Sequence, residues 1–135
     1  MKKLILIAIC FISLQLSAQG NLQFNQVVNN SYTATLGTTQ TTIGTITVPA
    51  GKVWKIESAN YYFTQGTGNR IPGRGSGSYI AYIGDNLIWD GTNGLGHQDF
   101  FPIWLPSGTY DVSSRSPATY LVTVNFSAIE FNVVP

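Results

Sequence analysis

The sequence predicts an all-β protein: an antiparallel β-sandwich or jelly roll of about eight strands, preceded by a signal peptide. Three observations carry this. Gly and Pro interrupt the chain beyond its leader so often that no amphipathic helix of ordinary length fits between them. The intervals they leave are rich in Thr, Val, Ile and aromatic residues, which suit a pleated, half-buried surface. Charged residues make up 10% of the chain, where ordinary domains carry about 25%, and the Lys, Glu and Ala that clothe helices are scarce.

The leader comes first. Met1-Lys2-Lys3 is cationic, and an apolar run follows from Leu4 to Leu16, interrupted only by Ser13 and Gln15. Small residues stand at Ser17 and Ala18, and the chain turns polar at Gln19-Gly20-Asn21. These are the three parts of a secretory signal, and the run is too short for a spanning helix, which needs about 20 apolar residues. Cleavage is expected after Ala18, leaving residues 19–135 as a single domain that is secreted or held at the cell surface. Cys10, the only cysteine, lies inside the apolar run with Ile9 before it, which does not fit lipid attachment. The exported domain has no thiol and no disulfide, so its hydrophobic core alone must hold it.

The strands follow in order. Leu22 to Val28 and Tyr32 to Leu36 are short candidates separated by Asn29-Asn30, and Thr41 to Val48 is β-branched at nearly every position. After the turn at Pro49-Ala50-Gly51, Lys52 to Thr64 opens with Trp54 and Ile56 alternating against Lys55 and Glu57, the period of a half-buried strand. Gln65 to Gly77 holds five glycines with Arg70, Pro72 and Arg74 and reads as the longest loop. Ser78 to Ile83, the turn Gly84-Asp85-Asn86 and Leu87 to Trp89 form a hairpin. Asp90 to Gln98 is a second glycine-rich loop. Phe100 to Leu105 contains Pro102, which delays the strand or confines it to a sheet edge. Pro106-Ser107-Gly108 turns the chain into Thr109 to Ser113. Tyr120 to Val133 is the last strand and the longest. There Val122, Val124, Phe126 and Ala128 share one phase, while Ile129, Phe131 and Val133 share the other, which predicts a β-bulge near Ser127-Ala128.

Charge excludes some partners. Loss of Lys2 and Lys3 leaves five of the seven basic residues against six acidic ones, and net charge moves from +1 to −1. Nucleic acid and anionic membrane are bound mainly through clustered Lys and Arg, so neither fits this chain. The Thr-rich, nearly neutral surface offers little repulsion against self-association.

No catalytic constellation forms. His97, the only histidine, stands in Gly94-Leu95-Gly96-His97-Gln98-Asp99 without the partners that a triad or a metal site requires. The Asp85 to Gly94 run offers oxygen ligands, but Leu87 and Ile88 break the spacing of a calcium loop, and Asp and Asn beside Gly are ordinary turn residues. The glycines around Arg70 and Arg74 lack a phosphate-loop motif. Glu57 and Glu130 alternate with apolar neighbours and read as a solvated face. No cofactor and no metal are expected. Aromatic rings stack on sugars, so Trp89 flanked by Asp85, Asn86, Asp90 and Asn93 is the candidate site for a glycan, against the alternative that Trp89 fills the core. Trp54 reads as core.

Two phrases carry a resemblance: Val48-Pro49-Ala50-Gly51-Lys52-Val53-Trp54-Lys55-Ile56 and Phe101-Pro102-Ile103-Trp104-Leu105-Pro106-Ser107-Gly108-Thr109-Tyr110. They resemble small secreted bacterial β-sandwich proteins, and the strand pattern is distantly similar to the jelly-roll heads of the C1q/TNF-like group. The resemblance implies jelly-roll topology and assembly into trimers, with Tyr61, Tyr62, Tyr79 and Tyr82 on the strands expected to face the contact. The chain has no collagen-like or coiled-coil stalk ahead of the domain. The expectation from sequence is a non-catalytic extracellular structural or interaction protein that forms homo-oligomers, with the polar segment from Gln19 to Leu36 near the contact. The alternatives are a carbohydrate-binding module and a small extracellular hydrolase.

Overall fold

A computed structural model describes residues 21–65, 68–72, 79–91 and 101–134. The leader, with the cleavage site and Cys10, lies outside them, as do Asn93, His97 and Asp99. Within the described residues there are nine strands and no helix: β1 (Asn21–Leu36), β2 (Thr41–Val48), β3 (Lys52–Gln65), β4 (Asn69–Pro72), β5 (Ile80–Ile83), β6 (Asn86–Asp90), β7 (Ile103–Leu105), β8 (Gly108–Arg115) and β9 (Tyr120–Val134). They form two antiparallel sheets. Sheet A has the order β1-β9-β3-β4, with β7 also on β3, and sheet B has the order β2-β8-β5-β6. First strand pairs with last, second with penultimate and third with β7, which is the nested pairing of a jelly roll.

The extra strand is β4. It folds back on the end of β3, Phe63 opposite Ile71, within the stretch that sequence alone reads as loop, because Asn69–Pro72 is too short and too rich in turn residues to signal a strand. The first two candidate strands are also one. β1 runs unbroken for 16 residues, longer than the 15 of β9. Asn29 and Asn30 do not turn the chain, because β9 offers an equally long ladder in which they pair with Ser127 and Phe126. β7 begins after a cis Phe101–Pro102 bond and lies on the β3 edge.

The core lies between the sheets. Ile56, Ile83, Ile88, Val112, Val122 and Val124 are wholly buried, each contributing roughly 1.5–3 kcal/mol relative to exposure. Aromatics fill the middle: Phe63 stacks on Tyr79 at 5.0 Å and Tyr61 on Trp89 at 6.3 Å. The Tyr61 hydroxyl donates to the Arg115 carbonyl at 3.0 Å, and burial pushes its pKa up to about 12. At the β1–β2 side, Tyr32 stacks on Phe126 at 6.3 Å and lies across Gly44, where any Cβ would overlap its ring. Gly44 is therefore the notch through which the two sheets close.

The phase of β9 corrects one expectation. Val122, Val124, Phe126, Ala128 and Glu130 all face inward, and the strand holds a single phase throughout. The irregularity does fall opposite Ser127 and Ala128, but the additional residue is Glu57 of β3, between Ile56 and Ser58. That bulge lets β3 switch its inward set from Trp54 and Ile56 to Ala59, Tyr61 and Phe63. Ile129, Phe131 and Val133 stay apolar and face outward.

Candidate functional site

The residues expected to hold a glycan do not gather. Asp85 and Asn86 are exposed at the β5–β6 turn, where Asn86 Nδ2 donates to the Ile83 carbonyl at 3.3 Å. Asp90 stands at the far end of β6, roughly 13 Å away at about 3.3 Å per residue, paired with Ile80. Trp89 is 5% exposed and stacks on Tyr61 in the core. The cause is a bulge: Ile88 is the extra residue where β6 pairs with β5, so Ile88 and Trp89 both point inward. Trp89 therefore offers no platform to a sugar. Asn93 lies outside the described residues.

Asp85 does line an open groove of about 540 Å³ on the outside of sheet B, with Gln40, Thr42, Tyr110, Asp111 and Ser113. Gln40 Nε2 donates to Ser113 Oγ at 2.9 Å, and Gly84 donates its N–H to the Asp111 carbonyl at 2.8 Å. Gly84 has φ +56°, and a Cβ there would sit 3.2 Å from the Tyr110 ring. Two carboxylates, an amide and several hydroxyls therefore line the groove. Among the described residues, no group of three or more His, Cys, Asp or Glu side chains is placed to hold a metal ion.

A second feature lies on the outside of sheet A, at the end where β1 begins and β9 finishes. Leu22, Phe24 and Val27 of β1 are 46, 63 and 58% exposed. Their ladder partners on β9 are Val133, Phe131 and Ile129, and Val53 of β3 stands opposite Phe131. Trp104 of β7, 46% exposed, lies 5.8 Å from the Phe131 ring. An apolar surface thus crosses four strands. Lys55 stands within it, between Ile129 and Trp104 on the ladder, paired to Glu57 at 2.7 Å and over the Trp104 ring at 5.7 Å. Toward mid-strand the same face turns polar, and Ser127 Oγ donates to Asn29 Oδ1 at 2.6 Å.

Period-two reading of β1 misses this surface. In an unbroken strand Leu22 and Phe24 would share a face with Val28, Ala34 and Leu36, which pack on the core. Asn25 is an extra residue between Phe24 and Gln26, and it turns the first residues outward. Behind the bulge sits Glu130, 3% exposed, the residue that sequence pattern places on a solvated face. Its carboxylate accepts from Asn25 Nδ2 at 2.5 Å, Gln26 Nε2 at 3.1 Å and, from the core side, Trp54 Nε1 at 2.7 Å. Burial alone would raise the Glu130 pKa. The hydrogen bonds from Trp54, Asn25 and Gln26, with the charge of Lys52, outweigh it and hold the pKa below the ordinary value of 4.5. Lys52 Nζ itself donates to Asn132 Oδ1. The buried acid therefore holds both residues at the bulge. The signals available in sequence were the amide pair Asn25-Gln26 and the parity change from Trp54-Ile56 to Ala59-Tyr61-Phe63.

Comparison with known proteins returns no match to this chain, whether among protein-family models, curated proteins or solved structures.

Proposed function

We propose that the protein is a secreted, non-catalytic structural or interaction protein that works at the cell exterior through self-association or partner contact. The observation that supports this reading is the apolar surface from Leu22 to Trp104 on the outside of sheet A. Side chains of that size belong inside a protein, and contiguous outward ones mark contact surfaces. β1 reinforces the reading, since it is an edge strand with no charged residue and no Pro, the usual defences of an edge. The test is retention on the surface of the producing cells, comparing wild type with Phe24→Ser/Val27→Ser. The variant is expected to fold normally by circular dichroism and to be released into the medium. Equal retention of the two would remove the surface from the function.

A carbohydrate-binding module is the second reading, favoured by the groove holding Asp85 and Asp111. A glycan array on wild type and Asp111→Ala tests it: binding lost in the variant supports it, and an array without any hit ends it.

A further inference from the structure

We infer that the apolar face of sheet A docks a second copy of the same chain, face to face about a two-fold axis. The inference rests on the interaction reading above and names its partner. Leu22, Phe24, Val27, Trp104 and Val133 each present about half or more of their surface. At the size of such side chains they offer on the order of 500 Å² of apolar area per copy, the upper range for one patch on a monomer. A standard interface needs about 800 Å² per partner, and homodimer interfaces are about 65% apolar. The patch with a polar rim therefore matches what a stable dimer requires.

Charge also fits a second copy. Lys55 within the patch and Glu57 beside it already form one neutral pair. β1 brings no charge at all. Two such faces meet without repulsion, and a two-fold axis lets Lys55 of one copy approach Glu57 of the other.

Edge-to-edge pairing of β1 is the competing arrangement. It would leave Trp104 in water, since β9 and β3 separate β7 from the β1 edge, and it would merge two exposed patches into a larger one. Face packing removes both. Sheets stack in this way with their strands within about 30° of each other. The C1q/TNF-like resemblance implies three copies, but a ring of three joins two different patches head to tail. Among the exposed large apolar residues described, five cluster at this end of the face, and Leu121 stands apart at its other end. A single patch meets itself, which gives two copies.

Trp104 supplies the readout. Trp54 and Trp89 are 7 and 5% exposed, so acrylamide quenching reports chiefly on Trp104. The experiment follows light scattering and quenching on the protein without residues 1–18, from low to high micromolar concentration. Mass is expected to double as quenching falls, and Phe24→Ser is expected to weaken association by about tenfold or more. Trp104→Phe serves as the control that assigns the signal. A doubled mass with Trp104 still quenchable would overturn face packing in favour of the β1 edge and leave the interaction reading standing. A threefold mass would overturn the two-fold axis. A protein that stays monomeric throughout would overturn the inference, and Trp104 protection only on adding phosphatidylcholine vesicles would reassign the face to a membrane. In either monomeric case the retention assay still decides the broader reading.

Discussion

The two ends of sheet A are built to opposite rules. At the end holding Thr33, Asn60, Thr123 and Asn125, the outside is polar apart from Leu121, and the inside holds Tyr61, Phe63, Val122 and Val124. At the other end a carboxylate and two amides lie against the inner face, while phenylalanine, valine, leucine and tryptophan face water. The first arrangement is what burial of apolar surface produces unaided. The second is costly twice over, in desolvating Glu130 and in wetting Phe24, and it persists because three hydrogen bonds satisfy the acid. Inversion of inside and outside at one end of a sheet is thus the feature on which the proposed contact role rests.

Substitutions at each end sharpen the contrast. Phe126→Ala leaves a cavity at the ordinary end and is expected to cost roughly 3–5 kcal/mol in urea unfolding. Trp54→Ala makes a comparable cavity and also takes a donor from a buried carboxylate, so it is expected to cost more. Equal costs would mean that the Trp54–Glu130 bond contributes nothing.

Glu130→Gln comes next, at about 1.5–3 kcal/mol near neutral pH, the worth of hydrogen bonds to a charged group. The acid also gives the inverted end a pH dependence. Because the folded pKa of Glu130 lies below 4.5, its contribution is complete above that value. It is lost as pH falls through the folded pKa. Urea midpoints measured from pH 6 downward are expected to drop more steeply below about 4.5 in wild type than in Glu130→Gln, and parallel curves would remove the acid from the account.

Gly44→Ala, away from both ends, is expected to cost about 1–3 kcal/mol by overpacking. The penalty should shrink in a Tyr32→Ala background, because the ring that a Cβ would strike is gone. The smallest effect is expected at the surface ion pair, where Lys55→Ala or Glu57→Ala should shift stability by less than about 0.5 kcal/mol. A large effect there would mean that the pair holds the patch together.

The segments of single period were legible in sequence and the bulged ones were not. Thr41–Val48 is found at the bounds its β-branched run predicts, and Trp54 and Ile56 are buried as their alternation requires. Those segments obey a single period. The inverted end depends on bulges, and a bulge changes parity without leaving a fixed residue signature. Ile129, Phe131 and Val133 look like core because apolar residues usually are, and Glu130 between them looks solvated for the same reason. The same device acts in β6, where the bulge at Ile88 draws Trp89 inward. Of the candidates among the described residues, Asp85 lines the groove on sheet B.

The extra residue at Asn25 also separates two kinds of sequence change at the exposed surface. Exchanging Leu22 for Ile or Val alters its shape by a methyl group and leaves its direction alone. Removing Asn25 would leave Phe24 beside Gln26 in regular alternation, still opposite Phe131, so Leu22 and Phe24 would keep facing outward while Glu130 lost one of its three donors. The bulge residue therefore serves the buried acid more than the side chains above it: its loss removes a hydrogen bond beneath the patch, while replacements at Leu22 or Phe24 retune the patch itself.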